Sequence, residues 1–351
     1  MKPLVIGNLV AKTPIIQGGM GIGISSSSLA SAVSNSGGIG VISGVNIGYD
    51  EHDFESNSLE ANLRALKKHI SIAKEKTNNG IIGVNLMVAM NFYEEHVKVA
   101  IESGCDIIIS GAGLPLKLPS LVKNSNTKIA PIVSSSKGAN ILLKMWDRKD
   151  NITADLIIVE GPKAGGHLGF SNNELEYINS INYDDEFVKI IQIAKIYGEK
   201  YNKEIPVIAA GGISSSYDVK KYINMGASGV QVGTKFVATY ECDADENFKN
   251  AYVNSKEEDI QIVKSPVGLP GRAIKNKFIE RISSSKPKIT KCYNCLVPCN
   301  PKDTPYCISQ ALINAVKGNL DDALLFCGAD AYKINKIKSV NEVIEELTCE
   351  I

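Results

Sequence analysis

Eight short apolar runs punctuate this chain between Pro14 and Val232, and longer amphipathic stretches separate them. The runs are Pro14–Gln17, Ile39–Ile42, Ile81–Leu86, Ile107–Ser110, Lys128–Val133, Leu156–Glu160, Pro206–Ala210 and Gly229–Val232. Short runs that are apolar at successive positions describe strands buried on both faces, the condition of a parallel sheet. Between them Leu59–Lys76, Glu94–Ser103, Pro115–Lys123, Gly138–Trp146, Asp185–Tyr201 and Tyr217–Met225 read as helices, and Ser25–Ser28 is expected to cap a further helix through Ser34. Such alternation excludes a sandwich. Eight repeats within roughly 240 residues match a closed (β/α)8 TIM barrel better than an open doubly wound sheet. Met1–Val10 is expected as a small plug or hairpin beneath it.

Past Cys242 the pattern turns irregular, with helices expected near Ser309–Lys317 and Val340–Leu347. The expected layout is therefore a barrel over residues 1–242 and a C-terminal helical, cysteine-containing appendage over 243–351 packing on it. Within the appendage, Cys292, Cys295, Cys299 and Cys307 follow a C-x2-C-x3-C-x7-C spacing. That spacing can ligate zinc or an iron–sulfur cluster, yet Pro298, Pro301 and Pro305 stiffen the segment, so packing thiols are preferred and no metal is assigned.

Bulk properties narrow the function classes. Lys plus Arg and Asp plus Glu both number 38, leaving no net field to attract nucleic acid or an anionic membrane. No apolar run approaches the ~18 residues of a membrane span, and the N-terminus lacks a secretory pattern. The expected location is the cytoplasm and the expected partner a small-molecule substrate, with a homodimer left open.

α/β barrels place their chemistry at the C-terminal mouth of the strands. There the sixth strand runs into Gly161-Pro-Lys-Ala-Gly-Gly-His-Leu-Gly169, whose glycines permit close approach of a ligand and whose tip carries His167. A turn-capping histidine is the plainer alternative. The seventh and eighth strands run into Gly211-Gly212 and Gly233-Thr234, a pair of loops suited to cup a phosphate. Gln17, Asn85, Ser134 and Glu160 end other strands and would meet the edges of a flat heteroaromatic ring. Together these features predict a phosphorylated planar cofactor, for which flavin mononucleotide (FMN) fits best. The glycines after the first strand lack the spacing of a dinucleotide fingerprint. Two long loops, Gly44–Ser58 and Leu168–Asp184, are expected to overhang the mouth, the second with a polar run, Ser171-Asn172-Asn173-Glu174, suited to a small solvated substrate.

Ile16-Gln-Gly-Gly-Met20, Gly83-Val-Asn-Leu86, Glu160-Gly-Pro-Lys-Ala-Gly-Gly-His-Leu-Gly169, Ala209-Ala-Gly-Gly-Ile213 and Val232-Gly-Thr-Lys-Phe236 resemble the nitronate monooxygenases, formerly 2-nitropropane dioxygenases. The resemblance spans essentially the whole barrel, residues 1 to about 285. It implies FMN held by Gln17, Gly18, Gly19, Met20, Asn85, Glu160, Gly165, Gly166, Gly211, Gly212, Gly233 and Thr234, with His167 as the active-site histidine. Relatives often carry an acidic residue directly before Ala-Gly-Gly-His, where this chain has Lys163. The implied activity is oxidation of alkyl nitronates with O2. An NAD(P)H-dependent enoyl-acyl-carrier-protein reductase, which shares the motif, is the alternative, and a silent flavin- or phosphate-binding module the third reading. With a neutral nitroalkane His167 would abstract the α-proton, work suited to its ordinary pKa near ~6.5.

Overall fold

The computed structural model describes residues 2–178, 183–285, 287 and 289–351. A hairpin of β1 (Leu4–Ile6) and β2 (Leu9–Ala11) leads into β3 (Ile15–Gln17), β4 (Ile39–Ser43), β5 (Ile81–Met87), β6 (Ile107–Gly111), β7 (Lys128–Val133) and β8 (Ile157–Glu160). After a two-residue strand, β9 (Gly166–His167), come β10 (Val207–Ala210) and β11 (Gly229–Val232). All but β1, β2 and β9 form a closed parallel barrel in the order β3-β4-β5-β6-β7-β8-β10-β11. Each barrel strand falls within one residue of its sequence-based bounds.

Pleating divides the barrel residues between two cores. Ile16, Ile39, Val41, Ile107, Ile109, Ile158 and Ile208 point inward, where Leu4 and Ile6 of the hairpin plug the lower end. Ile15, Ile42, Ile82, Val84, Ile108, Ile157 and Val207 point outward against helices. The same parity carries Glu160, Ala210 and Gln231 inward at the upper end, where they stand in register across three neighbouring strands.

The surrounding helices are α1 (Ser27–Asn35), α2 (Ser58–Lys76), α3 (Tyr93–Glu102), α4 (Leu118–Val122), α5 (Ser136–Asp150), a short α6 (Asn172–Glu176), α7 (Tyr183–Lys200) and α8 (Ser216–Asn224). Only a single turn, α9 (Thr234–Val237), follows β11. The chain then forms α10 (Glu246–Val253), the antiparallel pair β12 (Ile260–Lys264) and β13 (Pro270–Ile274), α11 (Lys277–Ser284) and α12 (Ile308–Val316). The final helix, α13 (Val340–Thr348), packs against both α8 and α1 and so takes the eighth place in the ring.

The start of α1 departs from expectation. Its Ser26 N-cap makes no side-chain capping bond, and Ser25 instead accepts from the Met20 N–H at 2.9 Å. The N-terminal amides of Ser26, Ser28 and Leu29 donate to the carboxylate of Asp243, from far along the chain, at 3.0, 3.3 and 3.1 Å. An acidic side chain satisfies three orphan N–H groups where a serine hydroxyl satisfies one. No helix among the described residues is long and apolar enough to cross a membrane.

Candidate active site

At the upper ends of the strands lies a cavity of about 310 Å³. Inward-facing positions build its floor: Ser43 of β4, Asn85 and Met87 of β5, Gly111 of β6, Ile132 of β7, Glu160 of β8, Ala210 of β10 and Gln231 of β11. The loops above the strands add Gly18, Gly19, Met20, Gly165, Gly166, His167, Gly211, Gly212, Gly233 and Thr234. Most of the residues singled out from the sequence thus surround one cavity. Gln17 and Ser134 are exceptions. β3 and β4 share only the Ile16–Ile39 pair, and the Gln17 side chain fills that seam, its Oε1 accepting from the Val41 N–H at 3.0 Å. Ser134 turns away to donate its hydroxyl to the Gly169 carbonyl at 3.3 Å.

Gly211 and Gly212 are required by backbone geometry, with φ of +89° and +73°. A Cβ on Gly211 would also lie 2.9 Å from the Ala164 amide nitrogen, so the β8 and β10 loops interlock. Gly233 differs: its φ is −108°, and a Cβ would meet nothing nearer than Met20 at 3.4 Å. Its lack of a side chain answers to no neighbour inside the protein.

Burial governs the titratable groups. It pushes Glu160 up to about 7 and His167 down to about 4, so the imidazole is neutral at pH 7. This corrects the ordinary value near ~6.5 expected for His167. His167 Nε2 and the Ser265 hydroxyl lie 2.7 Å apart, Phe326 meets the ring edge-on at 5.0 Å, and the strand carrying it pairs with β13. The histidine is held on three sides.

Several residues that line or support the cavity are not singled out by the sequence. Gln231 Oε1 is buried and has no hydrogen-bond partner among the described residues. Its signal was available, since a polar residue stands at an inward position of Gly229-Val-Gln-Val232. Arg272 of β13 is buried and ties down the loop before His167, donating to the carbonyls of Ala164 and, at 3.0 Å, Pro162. Tyr252, Leu312, Leu324, Phe326, Cys327 and Gly328 roof the cavity from the C-terminal part, beyond the strand-and-helix repeat that points to the other lining residues.

The two long loops part ways. Val45 of the first lines the cavity, and Asn46 beside it donates to Ser309 of α12 at 2.7 Å. Residues 179–182 of the second lie outside the described residues; among the rest of Leu168–Asp184, none lines the cavity. Its polar run is a helix cap instead. The Glu174 carboxylate accepts from the Ser171 N–H at 2.7 Å, and the Ser171 hydroxyl from the Glu174 N–H at 3.3 Å, starting α6.

A barrel whose inward polar residues and glycine loops converge on one cavity has the arrangement of a barrel enzyme's active site. The family model for nitronate monooxygenase matches residues 2–350, and the chain belongs to that family of flavin-dependent oxidoreductases. A probable nitronate monooxygenase of Staphylococcus aureus strain Newman is 31% identical over 292 residues, covering 77% of each chain. Among solved structures, FabK of Thermotoga maritima matches with a TM-score of 0.72 at 27% identity, over 97% of this chain and 93% of that one. Nitroalkane oxidase of Streptomyces ansochromogenes reaches 0.71 at 18% identity over 96% and 95%, a likeness of fold.

Proposed function

We propose that this chain is an FMN-dependent nitronate monooxygenase oxidising alkyl nitronates with O2. The cavity suits that cofactor. The orphaned Oε1 of Gln231 calls for a donor from a ligand, because buried polar atoms are rarely left unpaired. Asn85, Glu160 and Gln231 offer polar contacts to ring edges, while Gly211, Gly212, Gly233 and Thr234 offer backbone to a phosphate, with Lys163 and Lys235 on the same lining. A flavin in this position supplies an acceptor for the substrate's electrons and a route from there to O2.

The observation that carries the choice of substrate is the placement of His167 on the cavity wall, its Nε2 2.7 Å from the Ser265 hydroxyl and its ring against Phe326. A general base works best with a pKa near the operating pH, and burial has moved this one to about 4. It is poorly suited to removing a proton from carbon. A neutral ring held by Ser265 can, however, hydrogen-bond to the oxygen of a nitronate that has already lost its proton. Ile22, Met87, Leu296, Leu312 and Leu324 give the alkyl group an apolar wall.

The test mixes the pure protein anaerobically with each candidate reductant and follows flavin absorbance. An alkyl nitronate is expected to bleach the pigment far faster than the parent nitroalkane, NADH or NADPH, and acid should release FMN. Released FAD, or equal rates with the nitroalkane, would count against the proposal. The apolar wall also favours a second reading, an NAD(P)H-dependent enoyl-acyl-carrier-protein reductase. Rapid bleaching by NADH or NADPH, followed by reoxidation with an enoyl thioester, decides for it.

A further inference from the structure

Cys292, Cys295, Cys299 and Cys307 take no part in the chemistry above, and none is in a disulfide. The structure gathers them at one side of the barrel mouth. Cys295 lines the cavity, and Cys295, Cys299 and Cys307 pack on the buried cluster that contains Ile22, Tyr306 and Ile308. The segment is docked rather than loose: the Asn91 N–H donates to the Cys295 carbonyl at 3.0 Å and the Val297 N–H to Ala89 at 2.9 Å.

Its local geometry is that of a ligand turn. Asn294 adopts a left-handed conformation, φ 49°, and its N–H donates back to the Cys292 sulfur at 3.4 Å. An amide aimed at the first sulfur of a C-x2-C pair stabilises negative charge there and turns the second cysteine to the same side. Cys307 stands at the N-cap of the nine-residue α12, where unpaired amides favour a thiolate.

We propose that Cys292, Cys295, Cys299 and Cys307 hold an iron–sulfur cluster beside the active-site cavity. Zinc is the rival, and spacing argues against it. With Zn–S of about 2.3 Å, a tetrahedral site draws its sulfurs to about 3.8 Å apart. Among the described residues no three of these sulfurs lie within 4.8 Å of one another. A cluster takes its thiolates on separate metal atoms and so accepts the wider spread. Each thiol enters as a thiolate, its proton passing to solvent. The proposal does not rest on the FMN reading.

The test needs no variant at first. Full-length protein purified without oxygen, and reconstituted with iron and sulfide if isolated without them, is analysed for iron, acid-labile sulfide and zinc. Iron and sulfide are expected in equal amounts, roughly two to four per chain. Visible absorbance should persist after the flavin is stripped, and dithionite should produce a paramagnetic signal. Cys292→Ser and Cys299→Ser should each lose most of the iron with the thermal midpoint of the metal-free form unchanged, whereas Cys349→Ser keeps it. One zinc without sulfide, no metal after reconstitution, or full iron in both variants overturns the proposal.

Discussion

Glu160 and His167 share one cavity, and burial moves their titrations in opposite directions, to about 7 and about 4. Between pH 4.5 and 7 folded Glu160 binds more protons than it does unfolded, so its contribution to stability falls as pH rises. Between pH 4 and 6.5 His167 binds fewer protons folded than unfolded, so its contribution rises with pH. The two slopes partly cancel in the native protein, and removing one uncovers the other. Flavin-free Glu160→Gln should gain about 2–3 kcal/mol over the parent between about pH 5 and about pH 8, read from denaturation midpoints. Parallel pH profiles would show that Glu160 is not buried as a neutral acid. Gly233 allows an equally local test. Its allowed φ and open surroundings mean that Gly233→Ala should fold with an unchanged thermal midpoint. A methyl group beside the backbone should nevertheless weaken FMN binding by about tenfold, the loss of roughly one charge-assisted hydrogen bond. Unchanged affinity in a titration of the stripped protein would remove Gly233 from the phosphate cup.

Elements were legible where a period repeats and illegible where a side chain reaches across the chain. Barrel strands carry their burial in every residue, which is why eight runs sufficed to place eight strands to within one residue. The glycine loops and His167 followed from strand polarity. Gln17 lies off the cavity because β3 and β4 leave a backbone donor that its side chain fills, which only the structure reveals. The polar run after His167 reads as a loop over the mouth because a capping box and a solvated loop have the same composition. Arg272 was overlooked because nothing within β13 indicates that it clamps the β8 loop from above. Arg272→Met leaves the carbonyls of Pro162 and Ala164 without their charged donor. Hydrogen bonds to a charged group contribute about 1.5–3 kcal/mol each, so a loss of about 3–6 kcal/mol is expected for the two. Because that loop leads directly to Gly165, Gly166 and His167, FMN affinity should fall with stability. A variant with native stability and native flavin content would show that the loop holds itself.

At the scale of the whole molecule, the sequence divides near Cys242, whereas contacts cross that point repeatedly. Asp243 caps α1, residues 308–331 roof the cavity, and α13 fills the gap in the helical ring between α8 and α1. Val340, Val343 and Leu347 of α13 are all at most 2% exposed and belong to the same core as the outward faces of the barrel strands. A chain ending at Cys242 would expose the faces of α1 and α8 that α13 covers and leave the amides of Ser26, Ser28 and Leu29 without an acceptor. We therefore expect residues 1–242 alone to be insoluble or to lack cooperative unfolding. The sharper measurement uses one side chain. Leu347 is fully buried, and truncating such a leucine costs about 2–5 kcal/mol when the cavity left behind does not collapse. If α13 is part of the barrel's cooperative unit, Leu347→Ala should lower the single unfolding transition seen by both flavin fluorescence and far-ultraviolet circular dichroism. If it is a detachable tail, circular dichroism should resolve an early minor transition while the flavin signal melts at its native temperature, and the C-terminal helix would then be an ornament on a self-sufficient barrel.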